Sequence, residues 1–94
     1  MNAATFGAHV GSTFVAMGDD GEVDLALESV EDLPRQRGAP RPDPFRMVFV
    51  GPATPVLPQR MRRLDHGVLG GADVFLVPLG PGPGGGVVYE AIFN

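Results

Sequence analysis

Two histidines, His9 and His66, two serines, Ser12 and Ser29, and no cysteine are the stock from which nucleophilic or metal chemistry would have to be built. Acyl transfer needs a hydroxyl or thiol beside a general base that a third group orients. Neither serine stands in a nucleophile elbow, and Asp65, beside His66 in an extended run, points to the opposite face. A metal site would require two distant histidines to converge with a carboxylate. These residues predict no catalytic centre, no metal and no cofactor. They assign His66 to a turn, where its ring hydrogen-bonds backbone.

Three short motifs satisfy a pattern by letter and fail its physics. Gly80-Pro-Gly-Pro-Gly-Gly85 matches the spacing of a dinucleotide loop. Such a loop must open a helix, and the nine residues that follow are rich in β-branched and aromatic side chains, while two prolines remove N–H donors. Pro55-Val-Leu-Pro58-Gln-Arg60 has the spacing of a proline-rich ligand, but it joins two apolar runs and reads as an extended crossing. Asp19-Asp-Gly-Glu-Val-Asp24 has the composition of a calcium loop without its order or terminal glutamate, and Asp-Gly between apolar runs signals a hairpin.

The elements that must position these residues are strands. Gly11–Gly18 and Glu22–Val30 form the hairpin; the second alternates, with Glu22, Asp24, Ala26 and Glu28 on one face and Val23, Leu25 and Leu27 on the other. Residues 33–44 form a loop, since prolines at 40, 42 and 44 block any ladder. Phe45–Val50 follows, with Phe45, Met47 and Phe49 on one face. Prolines at 52, 55 and 58 then space an extended crossing. Met61–Asp65 is a short strand, Val74–Leu79 an apolar one expected to be the most buried, and Val87–Phe93 the last. Residues 2–9 allow one helical turn capped by Asn2 or Thr5. The predicted fold is one all-β domain over residues 1–94, a small antiparallel six-stranded barrel or sandwich with a short N-terminal helical turn. No internal repeat is evident in the residues.

A chain of 94 residues with 14 glycines and 10 prolines is near the lower size limit for a single core, and Phe14, Phe49, Phe75 and Tyr89 are the expected filling. The net charge of −4 is segregated: seven acidic residues between Asp19 and Asp32, and all seven arginines between Arg35 and Arg63. A negative total excludes nucleic acid as the main partner. The candidate interaction surface is Asp20, Glu22 and Asp24 facing Arg60, Arg62 and Arg63 of a neighbour; the bland alternative is solvated charge. No segment has membrane-spanning length or a secretory leader, so the expected site of synthesis is the cytoplasm, with later incorporation into an exported assembly left open.

Phe14, Val23, Leu25, Pro44-Phe45, Val48-Phe49, Gly51-Pro52, Leu57-Pro-Gln59, Leu64, His66, Leu69-Gly70, Val74-Phe-Leu-Val-Pro78, Gly80, Tyr89-Glu-Ala91 and Phe93-Asn94 carry a resemblance. In this order they resemble a family of small bacterial proteins defined only as a domain of unknown function, which ends in PFxLVFxGP…LPQ…H…LG…LFLVPxG…YEAxFN. Arg60-Met-Arg62 departs from the family's Gly-Thr-Tyr. The resemblance implies a place beside proteins similar to phage tail-collar or microcystin-dependent proteins, hence a tail-like or filamentous assembly, and it implies no catalytic residues.

The functional expectation is a non-enzymatic structural or assembly module whose partner is itself, as a homo-oligomer, or a tail-collar-like protein. Unpaired sheet edges would be covered by strand addition from a neighbour. The alternative is a small-molecule-binding β-barrel, which would need an unfilled interior.

Overall fold

The computed structural model describes residues 2–19, 21–34, 38 and 43–93. The elements are α1 (Ala3–Gly7), β1 (Thr13–Gly18), β2 (Gly21–Asp32), β3 (Phe45–Gly51), β4 (Arg60–His66), β5 (Gly70–Pro81) and β6 (Val87–Phe93). Asp20, Arg35, Arg37, Arg41, Pro40 and Pro42, on which expectations were placed, lie outside the described residues.

The strands close into an antiparallel barrel in the order β1-β2-β3-β6-β5-β4, which settles barrel against sandwich. Closure also corrects the expectation of free sheet edges. Every described strand is paired on both sides, including the last, β6, which lies between β3 and β5. Strand addition from a neighbour therefore has no whole free edge strand to join among the described residues, although the β1–β4 ladder is short.

The ring consists of two three-stranded meanders, β1-β2-β3 and β4-β5-β6, joined through β3 against β6 and β1 against β4. Each middle strand is 12 residues long. Its first half pairs with the strand before it and its second half with the strand after it; Ala26 and Leu76 belong to both ladders. Each second half also shifts register once, between Leu27 and Ser29 and between Pro78 and Gly80. Such bulges add the local bend by which a long strand wraps from one neighbour to the next, and they accommodate Pro78 beside an interrupted ladder. The architecture is thus internally repeated although the residues are not.

Alternation decides what fills the barrel. Val23, Leu25 and Leu27 from β2 and Phe45, Met47 and Phe49 from β3 point inward, as their period of two predicts. Phe14, Ala16, Leu64, Val74, Leu76, Val87, Tyr89 and Ala91 complete the core. The exception is Phe75. Inward placement of Phe75 was expected from a run apolar on both faces, yet Val74 and Leu76 take the inward positions and Phe75 is 45% exposed. In a run such as Val-Phe-Leu-Val, composition leaves the phase open; pairing of Met61 with Phe75 and Arg62 with Val74 sets it.

Both mouths of the barrel are stopped by an apolar side chain from a preceding segment. At one, α1 is started by Asn2, whose Oδ1 accepts hydrogen bonds from the Thr5 backbone N–H (2.9 Å) and hydroxyl (3.0 Å). The helix delivers Phe6 onto Phe14, Phe45 and Phe93, with ring centroids 5.8–6.3 Å apart. At the other mouth, residues 52–59 run from β3 to β4, strands that lie opposite one another in the ring, and bury Leu57. Gly51 makes that departure possible: a Cβ there would stand 2.8 Å from Leu25 Cδ2.

Phe6→Ala and Phe49→Ala should each lower unfolding free energy by about 3–5 kcal/mol, whereas Phe75→Ala should cost less than about 1 kcal/mol. Urea denaturation of the three variants measures this. An equal loss at Phe75 would reverse the assignment of the two faces of β5.

Candidate functional site

The polar residues that the fold brings together lie at the two mouths. At the α1 mouth, β4 ends at His66 and the segment leading into β1 contributes His9 and Ser12. The histidines, distant in sequence, meet edge to face with ring centroids 4.8 Å apart, and His66 also packs 4.6 Å from Phe14. Ser12 Oγ is 2.9 Å from His66 Nε2, a pairing that the linear spacing did not reveal.

Proton positions follow from the partners. His66 Nδ1 accepts from the backbone N–H groups of Val68 and Leu69, both at 3.1 Å. That leaves the ring proton on Nε2, which donates to Ser12 Oγ, and the serine hydroxyl in turn donates to the His9 carbonyl. The polarity is opposite to that of a nucleophile and its base, where the ring accepts the hydroxyl proton. His66 is the last residue of β4 and not part of the turn, but its ring does hydrogen-bond turn backbone as expected. Both ring nitrogens are engaged, and among the described residues no group of three His, Cys, Asp or Glu is placed to hold a metal ion.

At the crossing mouth, Arg62 occupies an inward position of β4 and is only 4% exposed. This corrects its expected place on a charged surface. Nη1 donates to the Met17 carbonyl (3.1 Å) and Nη2 to the Pro58 carbonyl (2.9 Å), so one guanidinium joins β4 to the end of β1 and to the crossing. The join matters because the β1–β4 ladder has only Val15 opposite Asp65 and Ala16 opposite Leu64. Nearby, the Leu57 N–H donates to the buried Tyr89 hydroxyl at 2.9 Å. Beside these groups lies a cavity of about 230 Å³.

The other expected surface residues stand apart. Arg60 pairs with Asp19 of its own chain at 2.7 Å, and Arg63 with Asp65 at 3.1 Å; both pairs are solvent-exposed. Glu22 and Asp24 project outward from β2 as predicted, whereas Asp20 is not among the described residues. The cationic half of the proposed charge pairing is thus partly buried and partly engaged internally. A tighter network lies on β2, β3 and β6, where Arg46 bonds Glu90 and Glu31. The Glu90 hydrogen bond, followed by the charges of Glu90 and Glu31, outweighs the effect of burial and raises the Arg46 pKa, so this cation persists at every working pH.

Sequence reasoning missed an outward apolar row. Met61 of β4 stands opposite Phe75 of β5, and the β5–β6 register, with Leu76 opposite Ala91, sets Ile92 beside Phe75. The three are 59%, 45% and 43% exposed. An alternation count within β4 would have found Met61 between Arg60 and Arg62, but the row exists only once three strands are in register. No helix among the described residues is long and apolar enough to cross a membrane.

A closed barrel with two stoppered mouths and an apolar outer row defines a small all-β module. Residues 1–93 match DUF6916, a domain of unknown function, and the chain belongs to that family. No curated protein and no solved structure matches it.

Removing the Tyr89 hydroxyl leaves the Leu57 N–H buried without a partner, so Tyr89→Phe should cost about 1–3 kcal/mol in urea unfolding. His66→Ala should cost a similar amount, about 1–2 kcal/mol, by freeing two turn N–H groups, while His66→Asn retains an acceptor and should restore most of the loss. Equal stability of the Ala and Asn variants would show that the Nδ1 contacts contribute nothing.

Proposed function

We propose that this domain is a non-enzymatic module that acts through protein–protein contacts, and that copies of the chain are its first partner. The observation that carries this reading is the row Met61, Phe75 and Ile92 on the outside of β4, β5 and β6. Large side chains exposed side by side in a domain whose core is otherwise filled are poorly explained by folding alone. Their surroundings have the anatomy of a contact surface, an apolar centre with charged neighbours. Ile92 is opposite Arg46, already neutralised by Glu90 and Glu31, and Arg63 is held by Asp65 on the other side of the row.

Several features favour contact over catalysis. The Ser12–His66 pair has its proton on the wrong partner for a nucleophile, and the barrel interior is occupied by side chains. With all six strands closed into a ring, faces offer a broader surface for association than added strands do. The resemblance described above adds a setting: a component or accessory of a tail-like or filamentous assembly, where a tail-collar-like protein would be the second partner.

Sedimentation equilibrium over a concentration series tests the reading. The wild-type chain should show a rising average mass, and Phe75→Glu combined with Met61→Glu should lower it at equal concentration without loss of thermal stability. Some association should persist in high salt, since the central contacts are apolar. A wild-type chain that remains monomeric at every concentration would defeat self-assembly.

A further inference from the structure

Arg62 is buried at the crossing mouth and forms no ion pair with a carboxylate among the described residues. Two of its donors satisfy carbonyl oxygens, Met17 and Pro58, and its Nε–H has no acceptor among the described residues. A buried cation without an ion-pair partner among the described residues, with one nitrogen unpartnered, is an unfavourable arrangement unless something supplies the missing acceptor. Arg62 also lines the cavity of about 230 Å³ beneath the crossing, whose apolar wall includes Val23, Val56 and Leu57.

We propose that this cavity binds a small carboxylate carrying an apolar tail. The carboxylate would accept from the Arg62 Nε–H, giving a charge-assisted bond to a group the fold leaves incomplete. The tail would lie against Val23, Val56 and Leu57, and the volume suits a group the size of one aliphatic amino-acid side chain with its carboxyl. Asp19 and Glu22 also contribute to the lining. Asp19 is paired with Arg60, so among the described residues Glu22 is the acidic lining residue whose charge opposes the ligand. This site is separate from the outward apolar row, and its occupancy does not depend on association.

The Nε–H is covered in the ligand-free chain, so binding requires a small shift of the crossing, which reports on itself. The experiment is an NMR titration that follows the Arg62 Nε–H and the amides of Val23 and Leu57. The probes are 4-methylpentanoate, N-acetyl-leucine as a peptide carboxyl end, and 4-methylpentanamide as a neutral isostere. Both acids should produce saturable shifts at these three groups, and the amide should bind at least about tenfold more weakly. The tighter of the two acids identifies the source, a free acid or a chain terminus. Glu22→Gln, an exposed position, should tighten binding of the acids; Arg62→Lys should weaken it at least about tenfold. If Arg62→Lys does not fold, the Glu22→Gln and amide comparisons still decide. Absence of saturable shifts, equal affinity for acid and amide, or no effect of Glu22→Gln would overturn the proposal; the first would mean that water alone meets the Nε–H.

Discussion

The passage of the chain from β3 to β4 is the constraint on which the rest of the molecule depends. These strands occupy opposite positions in a ring of six, so the connection crosses the barrel mouth and does not turn along its wall. Most of the crossing is exposed, but where Leu57 dips into the mouth the backbone groups beside it need partners from the protein. Prolines at 52, 55 and 58 reduce the number of donors to be satisfied. The Leu57 N–H is met by Tyr89 from β6, and the Pro58 carbonyl by Arg62 from β4. One contact comes from the meander just entered and the other from its far strand, so the crossing cannot settle until the second meander is in place.

That arrangement explains why an arginine is tolerated inside a small β-barrel. The ladder between β1 and β4 is the shortest of the six seams. Arg62 extends it by reaching the Met17 carbonyl, past the last paired residues. A lysine at this position would supply charge without the planar fork that serves two carbonyls on different elements. The opposite mouth has no such ladder problem and is stoppered by aromatic contacts alone, with Phe6 seated among Phe14, Phe45 and Phe93. In each half of the fold, a plug segment comes just before the first strand of a three-stranded meander. The two plugs are built differently because only one must also join the halves.

Much of this was legible in the residues. Alternation in Glu22–Leu27 and Phe45–Phe49 is unambiguous because each strand has one polar or small face, and the inward sets were correct. Proline spacing marked the crossing, and of the two cap candidates, Asn2 and Thr5, the helix uses Asn2. Legibility failed where both faces are apolar, as at Val74–Val77, since phase is then set by the partner strand. It failed again at Arg62, because an arginine reads as surface until two carbonyls on other elements are known to await it. The Ser12–His66 contact spans 54 positions and depends on closure between β1 and β4, which no local pattern encodes.

Closure also determines where function can reside. In an open sheet the backbone of an edge strand is itself a binding surface; here the six strands close into a ring, and the interior is filled mostly by aromatic and aliphatic side chains. What remains is the outer wall and the mouths. The wall carries most of the ion pairs, and these hold one another within the chain, so its residual binding potential is apolar and concentrated at Met61, Phe75 and Ile92. The mouths differ in the same respect. At the α1 end both ring nitrogens of His66 are engaged by neighbours, whereas at the crossing end the Arg62 Nε–H has no acceptor among the described residues. A chain this small has little stability to lose to an unsatisfied charge. The unpartnered Nε–H beside a cavity is thus the ground for the proposed ligand, as the apolar row on the wall is for the proposed partner.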